Sequence, residues 1–164
     1  MSEMKFVDLK NNEIRVCGDI FKPVKKVTVY KLSLAQEEIE KMNKENERVQ
    51  ARIKKKKKIM EKDDTSLDDY DKLSKELESE EEKIDNDLLM KSTAQIVMEF
   101  FDDITVEEYL ENAEPQDMAT LGVIIPAMQC MKIGKPEKYI NNLFIQAISA
   151  NVDNYMNSIL HPTD

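Results

Sequence analysis

Residues 36–87 read QEEIEKMNKENERVQARIKKKKKIMEKDDTSLDDYDKLSKELESEEEKIDND. Of these 52 residues 31 are charged, and none is glycine or proline. So polar a stretch cannot enclose a core of its own, yet nothing in it breaks a helix. The charge changes sign along the way. Residues 36–62 hold 10 basic and 6 acidic side chains, whereas residues 63–87 hold 12 acids and 3 lysines. The simplest structure is a pair of long charged helices folded back on each other.

The first helix carries a heptad trace. Ile39, Asn46, Ile53 and Met60 fall seven apart, with Met42, Val49 and Lys56 in the companion positions. Asn46 on that seam would fix register at a cost in stability. A break is expected at Asp63-Asp64-Thr65-Ser66, with Ser66 and Asp69 as an N-cap and its acidic partner. On the second helix Tyr70, Leu73, Leu77 and Ile84 form a matching seam, interrupted by Glu80 and Asp87. Folding about residue 65 sets Lys44 near Asp85 and Asp87, Arg48 near Glu81 and Glu82, and Arg52 near Glu78. It also brings Lys54–Lys58 near Asp71, Lys72 and Glu76. At about 1.5 Å per residue the arm is roughly 35–40 Å long.

Outward from this stretch the composition changes. Toward the N-terminus, Lys5-Phe6-Val7-Asp8-Leu9 and Glu13-Ile14-Arg15-Val16-Cys17 alternate as strands, joined by Lys10-Asn11-Asn12. Gly18-Asp19 closes the second strand. A two-stranded hairpin is marginal alone, so it must lie on the helical part or on another chain, and its exposed edge is a contact surface. Val27-Thr28-Val29-Tyr30 fits a third strand or a helix entry. Toward the C-terminus, Ile96, Val97, Phe100 and Phe101 share one buried helical face that Asp102-Asp103 ends. Thr105 through Glu108 fits a capping box, and Pro115 opens a further helix through Met118, Leu121, Ile124, Ile125 and Met128, to be kinked or ended at Pro126. Gly134 reads as a C-cap. The last helix carries Tyr139, Ile140, Leu143, Phe144, Ala147, Ile148, Val152, Tyr155, Met156 and Ile159, more apolar faces than one small core requires.

The expected fold is therefore mainly α (α+β). A small N-terminal β-hairpin element (1–35) packs on the body, a long antiparallel charged helical hairpin (36–87) projects as an arm, and a C-terminal helical bundle (88–164) completes a single domain.

Charge and composition also restrict function. The net charge of −9 disfavours a general nucleic-acid binder. Lys54–Lys58 is the one basic run, and a solvated helix face opposite acids accounts for it more simply than a nucleic-acid patch. The N-terminus lacks the apolar core of a signal peptide, and no run approaches the ~18 apolar residues of a membrane span. Cys17 and Cys130 lie 113 positions apart, so reduced thiols in a cytoplasmic protein are expected. The single histidine, His161, sits by the C-terminus, and with distant cysteines it builds neither a zinc site nor a Cys–His pair. Ile133-Gly134-Lys135-Pro136 lacks the rest of a phosphate loop. No catalytic residue, cofactor site or metal site is assigned, and an enzyme is not expected.

One resemblance goes further. Phe100-Phe101-Asp102-Asp103-Ile104-Thr105-Val106-Glu107-Glu108-Tyr109-Leu110, followed by Glu114-Pro115-Gln116-Asp117, together with the strand Lys5-Phe6-Val7-Asp8-Leu9, resembles the tail assembly chaperones of long-tailed (siphovirus-like) bacteriophages. The likeness covers residues 4–35 and 88–131; the arm and the residues after Met131 lie outside it. It implies a non-enzymatic protein that binds the tape measure protein, keeps it soluble and promotes tail tube assembly. Such a protein works in the host bacterial cytoplasm and is absent from the mature virion. Tail tube subunits and a second copy of the chain are the further partners this reading admits; nucleic acid and membrane are not. A client helix would need an apolar groove, for which Phe100, Phe101, Tyr109, Met128, Met131 and Phe144 are the candidates. The ten methionines suit either such a groove or a gap-filled core. Two other classes remain open. One is a coiled-coil adaptor or scaffold acting through residues 36–87, and the other is an acidic inhibitor protein mimicking nucleic acid.

Overall fold

Alternating apolar and polar residues at the N-terminus do form strands, and the turn chemistry between them decides how many. The computed structural model describes residues 4–62, 66–81 and 86–160. Its elements are β1 (Val7–Asp8), β2 (Glu13–Cys17), β3 (Ile20–Pro23), α1 (Val29–Met60), α2 (Leu67–Glu81), α3 (Asn86–Met98), α4 (Val106–Asn112), α5 (Pro115–Thr120), a 3₁₀ turn (Leu121–Val123), α6 (Ile124–Lys132) and α7 (Glu137–Leu160). The fold is mainly α with a small antiparallel sheet. The chain divides into two compact units, residues 1–36 with 91–164, and residues 37–90.

In the first unit the sheet is a meander of order β1-β2-β3 rather than the expected two-stranded hairpin. Gly18, at φ 60°, takes the first place of a two-residue loop and turns the chain back as a strand instead of ending the sheet. Cys17 pairs with Ile20 after a register shift at Val16. The β1–β2 turn is held by Asp8, whose carboxylate accepts from the Asn11 backbone N–H and side-chain amide. Those bonds hold the Asp8 carboxyl below its ordinary value. Val27–Tyr30 proves to be a helix entry, because the Thr28 hydroxyl accepts from Lys31 N–H and caps α1.

Each side of the sheet meets another segment over part of its length, so the exposed edge that the sequence predicts is partly covered. Past β3, Val24 bridges to Phe101, with Lys25 N–H donating to the Phe100 carbonyl at 2.8 Å. Outside β1, the side-chain oxygen of Asn141 on α7 accepts from Phe6 N–H (2.9 Å) and Val7 N–H (3.2 Å). Phe6 also stacks on Phe144, ring centroids 5.0 Å apart. Ile14, Val16, Leu32, Val97, Tyr109, Ile124, Ile125 and Ile140 complete the core between sheet and helices.

The helix boundaries follow their caps with two departures. Thr105 accepts from Glu108 N–H, Glu114 and Asp117 form a capping box with Pro115 at N1, and Gly134, at φ 81°, ends α6. The helix opened at Pro115 stops short of its expected length. A 3₁₀ turn intervenes, and α6 restarts at Ile124, so Pro126 falls in a first turn where its missing N–H costs little. Helix α3 ends at Met98, ahead of Phe100 and Phe101, which leave it through successive i→i+3 turns.

In the second unit α1 and α2 form the expected antiparallel hairpin. All seven heptad positions from Ile39 to Met60 are buried or half-buried, and Val49, Ile53 and Leu77 make the apolar cluster with Met60 against it. Tyr70 departs from the seam and is 45% exposed. Ion pairs cross the hairpin from Arg52 to Glu80 (3.3 Å), Lys56 to Glu80 (3.0 Å) and Glu76 (3.5 Å), and Lys57 to Glu81 (3.4 Å). Arg48 instead pairs with Glu45 on its own helix.

Arg52 thus meets a residue two places beyond the expected Glu78. Helical side chains lean toward their own N-terminus, so on antiparallel helices they lean toward each other along the axis. The long charged groups therefore pair further from the turn than the short apolar ones do. The Glu80 hydrogen bond also holds the Lys56 ammonium above its ordinary value. The expected break at Asp63–Thr65, the partners Glu82 and Asp85, the seam residue Ile84 and His161 lie outside the described residues, as do the side chains of Asp87, Tyr155, Met156 and Ile159.

The exposed Lys57–Glu81 pair contributes only ~0.2–1 kcal/mol, whereas the apolar seam around Leu77 carries a larger share of the hairpin's stability. Leu77→Ala is expected to cost about 2–4 kcal/mol. Hydrogen exchange should show lost amide protection in residues 67–81, whereas Lys57→Ala leaves that protection nearly unchanged.

Candidate functional site

Of the six residues proposed for a client groove, four have their side chains committed to the core. Phe101, Tyr109, Met128 and Phe144 are buried in the core of the first unit, and Phe100 and Met131 are half-buried. Three of the buried four have evident partners. Phe144 stacks on Phe6, Phe101 sits in the bridge to Val24, and the Tyr109 hydroxyl donates to the Asp117 carbonyl at 3.1 Å. Met128 and Met131 line a common pocket. An acid placed at Phe101 or Met128 would disrupt folding rather than isolate client binding.

Around Tyr109 lies a polar knot that sequence reading missed. Asp117 is buried, and its Oδ2 accepts from Glu114 N–H (2.9 Å) and Gly18 N–H (3.1 Å). It thereby ties the β2–β3 turn to the start of α5. Thr120 donates its hydroxyl to the Asp117 carbonyl as well. Burial pushes the Tyr109 phenol far above its ordinary value, and the nearby Asp117 carboxylate adds to the shift. Burial, again helped by Asp117, raises the Cys17 thiol. A phenol and a thiol held protonated beside a carboxylate that serves backbone amides make a structural joint. Among the described residues no group of three His, Cys, Asp or Glu side chains could hold a metal ion.

One open apolar surface among the described residues lies on α7. Asn141, Ile140 and Phe144 turn one face of that helix to the sheet and core. About a third of a turn round the helix, Tyr139 (49% exposed), Ile145 (37%) and Val152 (53%) face outward. Asn142 and Ser149, both exposed, lie between them on the same stripe. Ile145, Ser149 and Val152 follow the spacing of a helix-packing seam. The N-terminal end of the stripe is an open recess of about 440 Å³, lined by Pro136, Lys138, Tyr139, Asn141, Asn142 and Ile145. Lys135 Nζ lies over the Tyr139 ring, 5.0 Å from its centroid. The signal for this face was the excess of apolar residues in the last helix, which no single core could absorb.

Comparison with protein families, with curated proteins and with solved structures returned no match. Among the described residues no helix is long and apolar enough to cross a membrane.

The knot carries a pH signature with a definite sign. In the unfolded chain the thiol and the phenol ionise near their ordinary values of 9.0 and 10.0, whereas the folded chain keeps both protonated above them. The unfolded state then holds fewer protons, so stability is complete below about pH 9 and falls as pH rises. Each group contributes up to about tenfold in the folding equilibrium per pH unit. Urea unfolding should show a flat midpoint from about neutrality to about pH 8.5 and a decline above about pH 9, with Tyr109→Phe removing the part beyond about pH 10.

Proposed function

We propose that this chain is a non-catalytic, client-holding protein that acts as a tail assembly chaperone of long-tailed bacteriophages. Its client is the tape measure protein, which it keeps soluble while tail tube subunits assemble. It acts in the host cytoplasm and is left out of the finished virion. The observation that carries this reading is the outward stripe of α7, with Tyr139, Ile145 and Val152 exposed beside a core already filled by Ile140 and Phe144.

An amphipathic client helix laid along that stripe would bury apolar surface on both partners. The carboxylates of a chain of net charge −9 would keep the loaded complex dispersed. The client surface is thus assigned to α7 and no longer to the buried aromatic residues. Tail tube subunits and a second copy of the chain remain the further partners of this proposal.

Co-expression with the tape measure protein of the same phage tests it. The native chain should hold the client in the soluble fraction. Ile145→Asp with Val152→Asp should reduce that fraction about tenfold or more, equivalent to at least about 1.4 kcal/mol of binding. Helical circular dichroism and Tm should stay unchanged. Deleting residues 37–87 should leave client holding intact, whereas an adaptor working through the hairpin would lose its activity. Full rescue by the folded double variant would contradict the assignment.

A further inference from the structure

A second surface of the first unit combines an apolar wall with three lysines. The β3–α1 connection, the β1–β2 turn and the end of α6 enclose a pocket of about 240 Å³. Val24, Val27, Met128 and Met131 supply its apolar wall, and Lys25, Lys26 and Lys132 stand among its lining residues with no carboxylate beside them. Among the described residues none of these three lysines has an acid within 4.0 Å, while Lys5 and Lys22 of the same unit pair with Glu137 and Asp103.

The frame of the pocket is hydrogen-bonded on two sides. Val24 N–H donates to the Asn12 carbonyl (3.0 Å), and the Asn12 side chain returns a bond to the Val24 carbonyl (3.2 Å). Lys25 N–H is held by Phe100. The lysine side chains are thus mobile groups on a fixed rim.

We propose that this pocket docks an acidic segment of a partner protein through one bulky apolar side chain flanked by carboxylates. The volume favours an anchoring side chain over a whole small molecule, since ligand pockets commonly run from about 300 to 1,000 Å³. Methionine gives the wall the compliance to take anchors of differing shape. Charge selects the flanks. In a chain of net charge −9, three ammonium groups with no carboxylate beside them favour a carboxylate-bearing partner. The pocket shares no lining residue with the recess on α7, so this inference stands apart from the client-holding assignment.

Fluorescence anisotropy on the full chain tests it with labelled peptides. Each peptide has acidic residues on both sides of a central phenylalanine or a central serine. The phenylalanine peptide should bind about tenfold tighter than the serine peptide. Its affinity should fall steeply between about 50 and 300 mM salt, as screened charge contacts require. Lys25→Glu with Lys132→Glu should weaken it about tenfold or more, whereas Lys72→Glu with Lys91→Glu, the same change in net charge outside both pockets, should not. Met131→Ala should erode the preference for phenylalanine, and circular dichroism verifies folding throughout. The proposal is overturned if neither peptide binds the native chain, if both bind equally, or if the two double variants behave alike. Displacement of the peptide by inorganic phosphate or decanoate as readily as by unlabelled peptide would also overturn it, by revealing a plain anion site.

Discussion

Two neighbouring backbone amides, those of Phe6 and Val7, depend on one acceptor, the side-chain oxygen of Asn141. Partly buried N–H groups left without an acceptor would each cost about 1–3 kcal/mol, so this contact restricts how α7 can rotate against the sheet. Phe144, three residues on and therefore on the same helix face, completes the seat by stacking on Phe6. Once that face is committed, geometry sends Tyr139, Ile145 and Val152 outward. The candidate client surface follows from how the sheet edge is satisfied. Asp117 plays a corresponding part at the other end of the sheet, where one carboxylate oxygen serves the Gly18 turn and the α5 cap together.

The two units achieve order by different balances of the same forces. Residues 37–90 have little apolar surface to bury, so a narrow seam around Val49, Ile53 and Leu77 is combined with cross-hairpin ion pairs that select register. The other unit has apolar surface in excess. Its core fills, its sheet meets other segments on both sides, and Tyr139, Ile145 and Val152 on α7 still face outward. Surplus of that kind is what the client-holding proposal draws on.

Local physics was largely legible in the residues themselves. The heptad trace from Ile39 to Met60, the Thr105 cap, Pro115 at the head of α5 and the Gly134 terminator each depend on neighbours within a few positions. The misreadings concern pairings that no simple pattern along the chain displays. Nothing near Ile20–Pro23 announces a strand until Gly18 is seen to turn the chain back onto β2. Phe101 and Phe144 read equally well as groove or core, and only the pairings with Val24 and Phe6 decide between them. Arg52 finds Glu80 instead of Glu78 because side-chain lean, invisible to a count of residues, displaces long charged groups along the hairpin.

Hydroxyl-radical footprinting of the isolated chain, read by mass spectrometry, tests the rotation of α7 most directly. Tyr139 and Ile145 should be oxidised readily, while Tyr109 and Phe144 stay protected until the chain unfolds. Protection of Tyr139 and Ile145 equal to that of Tyr109 and Phe144 would contradict the account, because the face assigned to a client would already be covered.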